Sequence, residues 1–433
     1  MGAIEQRASR RAFLRRAVCG LGGVALLPAI LGGCDEQDSP PARDRSDASA
    51  PWTEEAFQQY LAYERERLQR AREDLQTLSR LSIEVVPDYD RTLETVLFTI
   101  REPGLAELLR SLVAALPAYT RIFIVGPAEA QAHAWQADLR ASLGREVSIL
   151  EARESAFVEV WGQDVVEHVS VAGRGALVLP LFYRYLNPQV SKSSPQQART
   201  NVDGIGAALR KARLGRTFLS PVAFQGGDLA FDRLNGQRVL FTSGNSVIDT
   251  QRFYRQITGQ PGQPEEILER LRLLFGVDRV EVLADEEARK LTVHIDQHCC
   301  IVPGRRALVA EVVEDPDTGP RLAAPAEISF EIRRAETIRE RLRSLGYETV
   351  SLELTQAQLS HSQLPVNGIP YRDAETGDRV YLMPRWKDRT PTEAEIHARN
   401  AERIAALGFR VVPVDSKFYT GGGNLHCAAN ALT

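Results

Sequence analysis

The chain has 433 residues, 43% of them hydrophobic and 25% charged, so it is neither wholly disordered nor collagen-like, and it exceeds the usual size of one domain. Its 5 cysteines cannot staple a chain of this length, which excludes a disulfide scaffold. A formal net charge of -4 excludes a broadly basic nucleic-acid coat.

The N-terminus is charged differently from the rest. Residues 1–33 carry Arg7, Arg10, Arg11, Arg15 and Arg16 against a single acid, Glu5, and residues 17–33 are uncharged and rich in Leu, Val, Ala and Gly. A basic segment ahead of an apolar one reads as a secretory signal. The apolar stretch is short and Gly-rich for a membrane span. Ser9-Arg10-Arg11-Ala12-Phe13-Leu14-Arg15 resembles a twin-arginine export signal. Leu31-Gly32-Gly33-Cys34 resembles a lipoprotein processing box, in which Cys34 receives the lipid. The expectation is an exported protein of the periplasm or cell envelope, attached to a membrane through its lipid anchor alone. Loss of residues 1–33 leaves 48 basic against 56 acidic residues, a net charge of about -8, which argues further against a nucleic-acid partner. Residues 34–51, rich in Pro, Ser and Asp, suit a disordered tether.

Residues 52–81 read as a helix, with Phe57, Tyr60, Leu61, Tyr63 and Leu68 forming an apolar stripe for packing. From residue 82 onward, short apolar strands alternate with helical segments. Strands are expected at 95–100, 121–125, 147–150, 156–160, 176–182, 239–242, 280–283, 308–312, 349–354, 380–383 and 410–414. Helices are expected at 105–116, 128–143, 265–275, 334–345 and 391–407. Residues 82–433 are therefore of mixed α/β class. No glycine-rich phosphate loop follows the early strands, so a nucleotide fold lacks its main support.

Four polar islands interrupt this pattern. Trp161-Gly162-Gln163-Asp164 follows the expected strand 156–160, and Phe224-Gln225-Gly226-Gly227-Asp228 carries two adjacent glycines. Either island alone is an ordinary turn, although glycine pairs also admit a close backbone approach or a positive φ. His294-Ile295-Asp296 reads as a strand whose alternation puts an imidazole and a carboxylate on one face, suited to proton transfer and cation binding. Gly421-Gly422-Gly423-Asn424-Leu425-His426-Cys427 presents a cysteine behind an open, glycine-rich approach, a setting for a nucleophile.

In this order and spacing, the four islands resemble the guanidino-modifying enzymes of the pentein superfamily: arginine, agmatine and protein-arginine deiminases, with their amidinotransferase relatives. The resemblance runs from about Thr95 to the C-terminus. It implies a five-bladed α/β propeller of ββαβ units around a channel that holds a guanidino substrate. It implies Cys427 as nucleophile, His294 as general acid and base, and Asp164 and Asp296 as the carboxylates that clamp the guanidinium. Trp161, Gln225, Asp228, Gly422 and Gly423 would line the substrate site. The chemistry needs neither cofactor nor metal. A bound cation and an imidazolium beside the thiol would lower its pKa.

Two departures bear on the substrate. Agmatine and arginine deiminases carry glutamate at the position of Gln225, and agmatine deiminases carry Trp-x-Arg-Asp at the first island. The Trp161-x-Gln163-Asp164 stretch, with Glu167 beyond it, is closer to protein-arginine deiminases, as is the ending Gly423-Asn424-Leu425-His426-Cys427-Ala428-Ala429-Asn430. Arginine in a peptide or protein is therefore the first expectation. A small-guanidine deiminase or amidinotransferase is the alternative, and a non-catalytic lipoprotein binding arginine-rich peptides is a third reading. Arg184 is a candidate contact for a substrate carbonyl or carboxylate. Cys299-Cys300 reads as two packed thiols, and His298 and His426 as neighbours of the site.

Overall fold

The computed structural model describes residues 53–99, 105–126, 130–151, 162–181, 204–284, 294–314, 326–388, 390–416 and 424–432. The signal, the tether, Cys34, the expected strand 156–160, Trp161, Arg184, Gly422 and Gly423 lie outside them.

The fold is mixed α/β, with five sheets among the described residues. In the first sheet, β2 (Thr95–Thr99) runs parallel to β3 (Arg121–Gly126), which runs parallel to β4 (Val147–Glu151). Every residue of β2 is buried, which is why its sequence reads as an unbroken apolar run. The second sheet pairs β5 (Glu167–Val171) antiparallel with β6 (Arg174–Leu179) and β6 parallel with β7 (Arg216–Leu219), with β1 (Ile83–Glu84) along its edge.

The same antiparallel-then-parallel order recurs three more times. It is built from β8 (Leu229–Leu234), β9 (Gln237–Ser243) and β10 (Arg279–Ala284), and from β11 (Cys299–Val302), β12 (Arg306–Val313) and β13 (Glu348–Thr355). The last set is β14 (Ile369–Arg372), β15 (Arg379–Arg385) and β16 (Arg410–Asp415). Finally β17 (Ala429–Ala431), at the end of the chain, pairs antiparallel with β2 and gives the first sheet the same order. The parallel step in each unit is bridged by helix, as a parallel crossover requires. Examples are the helices Asn245–Thr258 with Pro264–Leu274, Ala326–Ser344, and Pro391–Ala406.

Four hydrophobic clusters lie between sheets. One joins Leu97 and Val125 to Leu177 and Leu179; another joins Val178 and Phe218 to Phe231 and Leu240. A third runs from Phe241 through Val309 and Leu352 to Tyr381, and a fourth joins Val380 and Leu382 back to Val96 and Ile122. The N-terminal helix, Glu54–Leu78, uses Tyr60, Leu61 and Leu68 of the expected stripe to pack on Leu181, Phe253 and Ile257. Its Asp74 accepts a hydrogen bond from the Leu219 backbone N–H at 2.8 Å, capping the end of β7. Among the described residues, no helix is long and apolar enough to cross a membrane.

Candidate active site

The islands occupy equivalent places in the units: each is a single helical turn just ahead of the antiparallel strand. Residues Gly162–Val165 precede β5, Gly226–Asp228 precede β8, Ile295–Gln297 precede β11, and Leu425–Ala428 precede β17. This corrects the reading of His294-Ile295-Asp296 as a strand. His294 is an extended residue capping a 3-10 turn, and its backbone N–H donates to Gln297 Oε1 at 3.0 Å. The turn, not strand alternation, brings the imidazole and the carboxylate together.

The turns touch one another and gather Asp164, Gln225, Asp228, His294, Asp296 and Cys427. The Gly227 N–H donates to Asp164 Oδ1 at 3.4 Å, and His294 Nε2 lies 3.7 Å from the same oxygen. Gln225 Oε1 is in hydrogen-bond contact with His294 Nε2. Cys427 Sγ lies 3.3 Å from Asp296 Oδ2. One ligand-type atom each from His294, Asp296 and Cys427 falls within 4.8 Å of the others, so the imidazole, carboxylate and thiol meet at one point. The two glycines of the second island serve a close approach and not a positive φ: a Cβ on Gly226 would stand 2.0 Å from the Gln163 carbonyl oxygen.

Asp228 is set behind this centre. Its Oδ2 accepts from Ser243 Oγ at 2.7 Å and lies 3.3 Å from Ser246 Oγ. Burial raises its pKa to about 6, against the opposing effects of Ser243 and Arg334. A small pocket is bordered by Gln225, Asp228, Asn245, Asp249 and His294. The Cys427 thiol is pushed well above its ordinary pKa by burial, then by the Asp296 and Asp164 carboxylates.

Two parts of the site escaped sequence reading. Asn367, immediately before β14, completes the set of turns and is wholly buried. Its Nδ2 donates to Cys427 Sγ at 3.3 Å and to the Asp296 carbonyl at 3.2 Å, while its own carbonyl accepts from the His426 N–H at 3.2 Å. The signal available was the Asn367-Gly368 dipeptide, which alone reads as a turn. His426 is more than a neighbour: its Nδ1 lies 2.8 Å from Asp296 Oδ2. Burial alone would depress its pKa, but hydrogen bonds to Asp296 and Asp88 raise it to about 10. His298, by contrast, pairs with Glu331 at 3.3 Å, and Cys299 and Cys300 are free thiols packed with the core.

Comparison with known proteins agrees with this geometry. The fold resembles a C. jejuni agmatine deiminase variant solved with substrate bound, at 15% identity and a TM-score of 0.57, over 81% of this chain and 96% of that one. A second structure of C. jejuni agmatine deiminase matches at 15% identity and a TM-score of 0.53, with the same coverage. No curated protein sequence matches. Residues 103–432, which include every described island, match the sequence profile of the Porphyromonas-type peptidyl-arginine deiminases. On that match the chain belongs to the Porphyromonas-type peptidyl-arginine deiminase family, a family of hydrolases acting on amidine C–N bonds.

Proposed function

We propose that the protein converts the guanidino group of arginine in peptides or proteins to a ureido group, releasing ammonia. The convergence of a thiol, an imidazole and a carboxylate within 4.8 Å, with a second buried carboxylate beside the imidazole, carries this reading. A planar guanidinium offers several N–H donors and is best held by carboxylates in charge-assisted hydrogen bonds. Asp164 and Asp296 are the clamp. Their charges disfavour a thiolate in the free site; a cation bound between them cancels that effect and favours it.

Cys427 then attacks the guanidinium carbon, forming an S–C bond and a tetrahedral adduct. His294 gives a proton to the departing nitrogen as the C–N bond breaks, and ammonia leaves an S-alkylthiouronium. Water adds to that carbon with His294 taking its proton, the S–C bond breaks, and the ureido product departs. Covalent catalysis divides one hard substitution into two easier ones. Asn367 holds the thiol on course throughout.

Peptide arginine is favoured over small guanidines because the side chain at position 225, turned onto His294, is a neutral glutamine and adds no charge for a lone cation. The five sheets are read as the blades of a closed propeller. Support comes from the clusters that join each sheet to the next and the last to the first, and from β17 pairing with β2. Residues 82–433 would form this single catalytic unit. The leader and Cys34 would place it outside the cytosol on a lipid anchor, where peptides and proteins are the arginine source.

The test offers the protein agmatine, free arginine and a peptide with an internal arginine, following ammonia and ureido product. Peptide turnover lost in Cys427→Ala supports the proposal. Agmatine turnover alone transfers the site to small guanidines, and Gln225→Glu is then expected to raise it. Peptide binding without product from any substrate leaves only a binding protein.

A further inference from the structure

His426 stands beside the nucleophile in the chain, yet both of its ring nitrogens face carboxylates: Nδ1 is 2.8 Å from Asp296 Oδ2 and Nε2 is 3.6 Å from Asp88 Oδ2. Asp88 lies 3.4 Å from Arg91 Nε, and Arg91 Nη2 reaches Glu167 Oε1 at 2.6 Å. Opposite charges therefore alternate along a line of five residues from Glu167 to Asp296. An imidazole with a carboxylate at each nitrogen is held as the doubly protonated ring, because a neutral ring has one donor only. Asp296 is thereby gripped on one side. Its Oδ2 faces His426 and Cys427 Sγ, while its Oδ1 is buried with no hydrogen-bond partner among the described residues. Such an oxygen is costly to leave unpaired and suits an incoming N–H donor.

We propose that Asp88 and His426 are positioning residues that act through Asp296. They fix the orientation of its carboxylate, so that Oδ1 is presented to the guanidinium. Neither is expected to touch the substrate. The inference rests on the guanidino reading of the site and deepens it: the clamp is set by a charge line that enters from behind, through an aspartate far from the thiol in the chain.

The experiment compares two alkylating reagents of the same shape on the full protein, chloroacetamidine (a planar cation) and chloroacetamide (its neutral counterpart). With either, the Cys427 sulfur bonds to the chloromethyl carbon, chloride leaves, and the thiol proton passes to solvent. The wild type is expected to react with the cation faster by about tenfold or more. In Asp88→Asn and in His426→Gln that preference, taken as the ratio of the two rates so that any common change in thiol reactivity cancels, falls by about fivefold or more. The KM for the guanidino substrate rises more than kcat falls, and Asp88→Glu, which keeps the charge, restores the preference. A folded Asp88→Asn or His426→Gln with an undiminished preference overturns the proposal; if one variant fails to fold, the other decides. A wild type with no preference sinks the guanidino reading itself, which separates the two failures.

Discussion

Gly226→Ala is the sharpest test of how the turns hold the site. The added methyl would stand 2.0 Å from the Gln163 carbonyl oxygen and 2.9 Å from its carbonyl carbon, where ordinary contact begins at 3.4 Å. The obstacle is backbone, so the turns 162–165 and 226–228 must separate by about 1.4 Å. That loses the 3.4 Å bond from the Gly227 N–H to Asp164 Oδ1 and moves Asp164 away from His294. Misplacement on this scale costs on the order of 100-fold in rate, or about 2.7 kcal/mol of barrier. Overpacking adds about 1–3 kcal/mol of destabilisation. The assay is kcat/KM for a peptide arginine substrate together with a thermal melt. Gly236→Ala is the control: its φ of +79° strains the backbone, but nothing lies within 4 Å of the new methyl. Gly236→Ala should lower the melting temperature and leave kcat/KM unchanged. Gly226→Ala with kcat/KM within about threefold of wild type would refute the claim that this backbone approach positions the clamp.

Two further outcomes follow from the same geometry. Asn367→Ala removes the donor to Cys427 Sγ and to the Asp296 carbonyl, and should lower kcat about 10–100-fold with little change in KM, measured by ammonia release. His168, on β5, has its pKa lowered to about 4 by burial and then by Arg91. Its folded pKa lies below the unfolded value of 6.5, so its neutral form is favoured by folding. Stability is complete above about pH 6.5 and falls as pH drops toward 4, by about 2 kcal/mol after allowance for partial exposure. Melts at stepped pH should show that loss reduced in His168→Gln; equal losses in both proteins would rule His168 out as the cause.

The sequence was most legible where burial is simplest. The strands read in advance are the parallel ones, such as β2, β9, β12 and β15, whose apolar runs are covered on both faces. Those unread include the antiparallel leaders of the units. β5 is Glu-His-Val-Ser-Val with alternating burial, β8 carries Asp232 and Arg233, β14 contains Pro370 and Arg372, and β17 has three residues. Each is too short or too polar for a periodic signal. The helix Asn245–Thr258 was hidden by its Asn, Ser, Thr and β-branched residues, which form helix poorly. Burial of Val247, Phe253 and Ile257 overrides that propensity. The islands stood out because polar groups interrupted apolar runs. Asn367 did not, since an Asn-Gly pair is explained by a turn alone. The partnership of His426 with Asp88 depends on a contact that crosses most of the chain, for which local sequence holds no signal.

The unread strands and the legible islands are parts of one device. A leader strand preceded by one helical turn delivers a buried polar side chain to the place where the turns meet, and the chain uses that device four times, for Asp164, Asp228, Asp296 with His294, and Cys427, while Asn367 takes the equivalent place ahead of β14 after a hydrogen-bonded turn from Leu364. A planar cation requires acceptors around its edge and a nucleophile at its face, and no single helix or strand presents both. Separate turns do. Since each turn is anchored by its own sheet, a side chain that does not pack on another turn's backbone can be changed without rebuilding the others. Gln225 is one such side chain: on the proposed reading it sets the charge offered to the substrate, while Cys427 keeps its contacts with Asp296 and Asn367. On the proposed reading, selectivity and nucleophilicity reside in different units. A substitution at Gln225 should move the ranking of substrates, whereas one at Asn367 should slow them all.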